Sequence, residues 1–183
     1  MTDTAAIRLH RTASDNPDFL ALVVRLDEYL RIMDGDDHAF YAALNTVDAI
    51  HHVVVAYRND ETIGCGAMKP FTEGVMEIKR MFVDPAHRGQ EIAGAILAEL
   101  ERWAHEEAYT GFVLETGIKQ TAAIRLYKKT GFVPVPNYGQ YVGVDQSVCF
   151  AKAVAFPRLL PKSPISTGIE CFSPGSCQRN GLL

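Results

Sequence analysis

Cysteine is scarce in this chain, 4 residues in 183, and its placement makes no disulfide framework. Cys65 and Cys149 fall in apolar strand-like runs ("IGCGAM" and "SVCFAKAV"), where a reduced cysteine behaves as a small hydrophobe. Cys171 and Cys177 lie in an irregular tail, their spacing matches no zinc pattern, and the 6 histidines supply no clustered partners. No metal is expected. Nor is there an apolar run long enough to cross a bilayer, which excludes a helical membrane span. The opening residues, "MTDTAAIRLHRTASD", lack the charged-then-apolar layout of a secretory leader, so a cytoplasmic location is the expectation. A basic excess is missing as well: 18 Lys and Arg against 22 Asp and Glu leave a net charge of −4, which argues against a sequence-independent nucleic-acid binder.

What is present suits one globular domain: 48% hydrophobic residues, enough for a sizeable core, and 22% charged ones. "AIRLHR" reads as a short strand. From Pro17 to Leu30 the apolar residues recur at helical spacing, with Pro17 in the first turn and Asn16 or Asp15 as cap. "MDGDDHAFYAAL" reads as a loop entering a second short helix; it lacks the alternating acids and closing Glu of a calcium loop. "HHVVVAYR", "ETIGCGAMKPF" and "VMEIKRMFV" form a three-strand meander around turns at Asn59-Asp60 and Glu73-Gly74. A helix follows from about Gly89 to Glu107, its inner face Ile92, Ile96, Leu100, Trp103 and Ala104, with Glu99, Glu101, Arg102 and Glu106 outward. Then come the strand "GFVLETG", the helix "QTAAIRLYKKTGF" ended by Gly131, and a last strand "SVCFAKAV". The order predicts an α/β fold, a mixed and mostly antiparallel sheet with helices on both faces. Residues 1–155 form that domain; residues 156–183, rich in Pro, Gly and Ser, form an irregular extension too short for a core of its own.

The turn "HRGQEIAGAIL" sits where a strand, a short loop and a helix meet. The first amides of a helix lack internal partners and carry the positive end of its dipole, so a phosphate fits there. Arg88 adds charge-assisted bonds, and Gly89 lets the backbone approach a ligand. Neither the Walker nor the dinucleotide pattern is met.

Two blocks carry a family resemblance. Val83-x-Pro85-x-x-Arg88-Gly89 followed by an amphipathic helix, and Ala123-x-x-Leu126-Tyr127 followed by Gly131-Phe132, resemble the GNAT superfamily of acetyl-CoA-dependent N-acetyltransferases. In element order the resemblance runs from about Ile7 to Val154. It implies the GNAT acyl-CoA N-acyltransferase fold, with acetyl-CoA as co-substrate and a primary amine of a small molecule or peptide as acceptor. It implies further that backbone amides of Arg88, Gly89, Gln90, Glu91, Ile92 and Ala93 hold the CoA pyrophosphate. Met81, Phe82 and Val83 would pair with pantetheine through their backbone, and Gln120 would stand where relatives often carry a cofactor-touching Asn. Homodimerisation is common in the family and is expected on that ground.

Tyr127 matches the family tyrosine that protonates the departing sulfur; a phenol is protonated at neutral pH and fits the role. Glu77 aligns with the strand glutamate used as general base, with Glu115 the second choice, and an amide near Met81 or Phe82 would polarise the carbonyl. Strand alternation leaves open whether Glu77 faces the site or pairs with Lys79 or Arg80 at the surface. Acceptor sites in the family draw on the first helices and late strands, which by resemblance would bring Asp34, Asp36, Asp37, Tyr41 and Tyr141 to the acceptor pocket; solvated loop acids and packing aromatics are the alternative reading, and the favoured one. The departure is Glu91, where the family pattern has a second glycine. The reading is that CoA binding is weakened and not abolished if the carboxylate turns to solvent. The alternative function is a GNAT-fold acyl-CoA-binding module with little or no catalysis.

Overall fold

The computed structural model describes residues 6–34 and 50–153. Asp36, Asp37, Tyr41, the second helix read after Met33, Cys171, Cys177 and the 156–183 extension lie outside them, and of Asp34 only the backbone is described.

The elements run β1 (Arg8–Thr12), α1 (Pro17–Asp34), β2 (His52–Arg58), β3 (Glu61–Thr72), β4 (Val75–Val83), α2 (Ile92–Glu106), β5 (Gly111–Gly117), α3 (Thr121–Lys129), β6 (Val133–Val135) and β7 (Ser147–Ala153). Seven strands form one sheet in the order β1-β2-β3-β4-β5-β7-β6. Every adjacent pair is antiparallel except β4 and β5. The α/β mixed sheet expected from the sequence is thus found. β6, three residues at the sheet edge, is an addition the sequence reading did not contain.

Local chemistry sets the boundaries. Asn16 caps α1, its Oδ1 accepting from the amides of Asp18 at 2.9 Å and Phe19 at 3.1 Å. The β2–β3 turn puts both Asn59 (φ 48°) and Asp60 (φ 65°) in left-handed geometry, the type I′ form whose twist suits a hairpin. α3 ends at Gly131 (φ 91°), a left-handed position just beyond the last turn.

Two cores cover the two faces of the sheet. Ile92, Ile96, Leu97, Leu100 and Ala104 of α2 pack with Met76, Ile78, Phe112 and Phe150 from the strands. On the other face Phe19, Leu22, Val23 and Leu26 of α1 pack with Val53, Val55, Cys65 and Phe82. The glycines of "IGCGAM" have a packing role. A Cβ on Gly66 would sit 2.5 Å from Met81 Sδ and 2.7 Å from Ile96 Cγ2, so their absence lets α2 lie close on the sheet.

Glu99 departs from expectation. It does not face outward: its residue surface is only 8% exposed, and Oε1 accepts from Arg11 Nε at 2.7 Å while Oε2 takes a bond from Arg102. Burial opposes the charged form, yet the two guanidinium bonds hold the carboxyl below its ordinary range. Arg11 comes from β1, 88 residues earlier, and periodicity within one helix carries no trace of it.

Candidate functional site

The site is built on the failure of one strand pair to stay together. β4 and β5 pair in parallel only at Val75–Gly111, Met76–Phe112 and Glu77–Val113. Beyond Glu77 the register ends while both strands continue, so the sheet opens into a slot. β4 also carries a bulge: Cys65 pairs with Phe82 and Ala67 with Lys79, leaving Arg80 and Met81 opposite Gly66. Arg80 takes a left-handed φ of 56° there. Before the bulge, alternation aims Ile78 toward α2 and Glu77 and Lys79 toward α1; the extra residue then turns Met81 toward α2 and Phe82 toward α1, with Arg80 reaching Asp27 of α1 at 2.6 Å.

A cleft of about 440 Å³ runs from this slot to the N-terminus of α2. Met81, Phe82 and Val83 form one wall; Arg88, Gly89, Glu91, Ile92 and Ala93 form its far end; Gln120 and Tyr127 stand opposite. Gln90 is not a wall residue, since its side chain turns to Arg58 Nη1 at 2.6 Å.

The far end has the chemistry of a phosphate cradle. The first internal bond of α2 is donated by Ala95 to Glu91 at 3.0 Å, so the amides of Ile92, Ala93 and Gly94 have no partner within the helix. Gly89 has φ 76°, and a Cβ there would meet nothing within 4 Å, which leaves open room over the loop. Arg88 is held by Val83 O at 3.2 Å and lies over the Tyr29 ring at 4.8 Å. Lys119 and Lys129 add cationic walls.

Glu91 is the N-cap residue of α2 and adopts φ 61°, ψ 8°. The residue that stands where a glycine is expected has taken glycine's left-handed conformation. That shortens α2 relative to the Gly89 start read from the sequence. The Glu91 carboxylate makes no cap bond; Oε1 meets Lys129 Nζ at 2.8 Å, and that partner keeps it ionised well below the ordinary carboxylate range.

A narrower space of about 80 Å³ lies in the slot itself, lined by Lys79, Met81, Glu115, Gln120 and Tyr127 among others. Tyr127 is 5% exposed, edge-to-face with Phe132 at 5.8 Å; burial raises its phenol pKa well above the ordinary value, and the charge of Glu115 adds to this. Glu115 Oε1 accepts from Ser147 Oγ at 2.6 Å. Glu77 borders neither space. It is 2% exposed, with Tyr138 Oη donating to Oε1 at 3.2 Å and the ammonium groups of Lys69 and Lys79 both at 3.7 Å. Tyr141 is fully enclosed and its Oη takes a bond from Lys79 Nζ at 3.2 Å. Lys129 and Ser147 were not singled out by the sequence, and Lys79 entered only as a surface partner of Glu77, whereas the pair is buried. Lys79 alone had a signal there, since residues two apart on a strand share a face and Glu77 was already a candidate.

Among the described residues no helix is long and apolar enough to cross a membrane.

Known proteins match this chain over the same elements. The profile of the Acetyltransferase (GNAT) family matches residues 17–132. An IAA acetyltransferase of Azospirillum brasilense is 40% identical over 122 residues, 66% of this chain and 80% of its own length. N-acetyltransferase family 8 member 2 of Rattus norvegicus is 34% identical over 58% of this chain, which spans about half (49%) of that relative. Among solved structures, a Klebsiella pneumoniae protein assigned as an acyl-CoA N-acyltransferase superposes with a TM-score of 0.70 at 29% identity, covering 83% of this chain and 100% of that one. An N-acetyltransferase of Thermoplasma acidophilum, solved with coenzyme A, has the same fold at a TM-score of 0.61 and 16% identity, over 81% of this chain and 99% of its own. A split β4–β5 pair, an open helix N-terminus at its end and a profile match over more than half the chain lead to one conclusion: the chain belongs to the GNAT family of acetyltransferases.

Proposed function

We propose that the protein transfers an acetyl group from acetyl-CoA to a primary amine by direct attack in a ternary complex. The observation that carries this reading is that the cleft at the α2 amides and the slot lined by Tyr127 and Glu115 share the walls Met81, Gln120 and Tyr127. The residues present fit the co-substrate. The amides of Ile92 to Gly94, with Arg88, Lys119 and Lys129, suit a pyrophosphate, and the unpaired edge of β4 from Met81 to Val83 suits the pantetheine arm.

Acetyl-CoA supplies a thioester whose carbon is attacked as its C–S bond breaks. The chain's residues move the protons. Tyr127 gives its phenolic proton to the leaving sulfur, a role that its raised pKa suits because the group stays protonated across the working range. The attacking nitrogen loses one proton. Of the two carboxylates singled out by the sequence, Glu115 is favoured as its acceptor because it lines the slot with Tyr127, while Glu77 is enclosed by Tyr138, Lys69 and Lys79. An amide at the β4 bulge, at Met81 or Phe82, would polarise the carbonyl; the bulge there supports this reading.

The alternative, an acyl-CoA-binding module, drew its force from Glu91. The Lys129 contact weakens that argument, because the carboxylate is neutralised at the mouth of the cleft. A cytoplasmic location and a homodimer belong to the same reading; the reduced, buried Cys65 and Cys149 support the first, and the family resemblance supports the second.

The test is CoA-thiol release from acetyl-CoA across a panel of primary amines, with the native chain and with Glu115→Gln and Glu77→Gln. Release that depends on amine and falls further in Glu115→Gln supports the reading. Tight acetyl-CoA binding with no amine-dependent release supports the binding module.

A further inference from the structure

One group on the α1-facing side of the slot is not used by the proton transfers above. The Lys79 side chain is 8% exposed, and among the described residues its ammonium has one hydrogen bond, to the neutral Tyr141 hydroxyl at 3.2 Å. Its nearest carboxylate, Glu77, is at 3.7 Å, beyond hydrogen-bond reach. A buried ammonium has three donors to satisfy, and among the described residues only the Tyr141 hydroxyl takes one, while Glu77 and Glu115 act on its charge without bonding it. Burial accordingly lowers its pKa, against the pull of Glu77.

Lys79 has a counterpart across the gap. The β4–β5 register ends at Glu77–Val113, and continuing it by two residues sets Lys79 opposite Glu115 on the same face of the sheet. Both line the space of about 80 Å³ that also holds Tyr127. A cation and a carboxylate therefore look into one small volume from two diverging strands, beside the proposed proton donor.

We infer that the acceptor is an amine with an adjacent carboxylate, an α-amino acid, its carboxylate bound by Lys79 and its amine set between Glu115 and Tyr127. The inference rests on the acetyltransferase reading above. Complementarity runs both ways. The amino acid's carboxylate offers acceptor atoms to the Lys79 ammonium beyond the Tyr141 hydroxyl, and its nitrogen meets the carboxylate that accepts its proton. A plain amine brings its own ammonium into the field of Lys79 and offers that group no further acceptor, so the pocket discriminates by repulsion as well as attraction. At about 80 Å³ the space suits the amino-acid head group, with Leu26 and Leu30 of α1 on its wall.

The experiment compares matched pairs, histidine with histamine and phenylalanine with phenethylamine, as acceptors by thiol release from acetyl-CoA. With the native chain, each amino acid should exceed its amine by about tenfold or more in kcat/KM, the discrimination expected when a buried charge is left unmatched. Lys79→Met should remove that preference, bringing the members of each pair within about twofold of one another, and Lys79→Arg should retain part of it. Amines equal or superior to amino acids in the native chain would overturn the inference, as would a Lys79→Met variant that lowers both members alike. If acetyl-CoA binds and no acceptor of either kind is used, the transferase reading fails separately. Calorimetric titration of histidine and histamine into the CoA-saturated protein then reads the carboxylate site alone: histidine tighter by tenfold supports it, and equal affinities overturn it. The same titration decides the matter if Lys79→Met does not fold.

Discussion

Glu91 and Lys129 meet across the mouth of the cofactor cleft, Oε1 to Nζ at 2.8 Å, joining the N-cap of α2 to the last turn of α3. The contact holds a left-handed glutamate where the family pattern has glycine. Glu91→Gly should relieve the backbone strain and raise the melting temperature by about 3 °C, less whatever the exposed ion pair contributes. Differential scanning calorimetry reads the shift; a lower melting temperature would mean the ion pair outweighs the strain.

The same pair should set affinity for the proposed co-substrate. Lys129→Met leaves the Glu91 carboxylate facing the phosphate cradle and should weaken CoA binding by about three- to tenfold. In a Glu91→Gly background the same change should cost less, because no carboxylate remains to be unmasked. Binding titrations on the four proteins give the coupling, and equal losses in both backgrounds would show the two side chains to be independent.

Much of this architecture is legible from residue spacing, and some is not. The apolar periods of α1 and α2, the Asn59-Asp60 turn and the two motif blocks fix the elements because they are local in the chain. Glu99 is misread because its partner Arg11 lies 88 residues away, and a period within one helix cannot report it. The β4–β5 opening is invisible for a related reason: β4 reads as an unbroken strand, whereas its register with β5 stops at Glu77, ahead of a bulge against β3 at Arg80 and Met81. Glu91 was seen as an anomaly in sequence, but its left-handed backbone and its lysine partner required the fold. Glu77 and Glu115 could not be ranked by alternation, which allows either face; the register decides which one meets Tyr127 in the slot.

Gly66→Ala tests the close approach of α2 to the sheet. The added methyl would overlap Met81 Sδ and Ile96 Cγ2, so the change should destabilise the fold by about 1–3 kcal/mol. Because Met81 belongs to the bulge, CoA affinity should fall with it. Denaturant unfolding and CoA titration check the two effects, and a neutral substitution would show that the helix has room to move.

Tyr127→Phe removes the proposed proton donor and little else. Turnover should fall by about 10²- to 10⁴-fold, the range for a positioned general acid, with CoA affinity nearly unchanged. Equal loss of both would make the tyrosine a packing residue.

Alkaline stability follows from the same phenol. Its folded pKa lies above its ordinary value of 10.0, so below that pH both states keep the proton and nothing changes. Above it the unfolded chain releases a proton that the folded chain retains, and stability falls as pH rises, by about 1.4 kcal/mol per pH unit from this group. Tyr138 and Tyr141, also raised by burial, act in the same direction. Denaturant unfolding between pH 9 and 11 should show a steeper loss for the native chain than for Tyr127→Phe; parallel losses would mean the phenol ionises in the folded state.

The central claim is that this cleft holds acetyl-CoA despite Glu91, and calorimetric titration of acetyl-CoA into the native chain and into Glu91→Gly tests it most directly. The account predicts saturable binding by both, tighter in the glycine variant. Binding by the glycine variant alone would show that Glu91 closes the site, and binding by neither would contradict the assignment of the cleft.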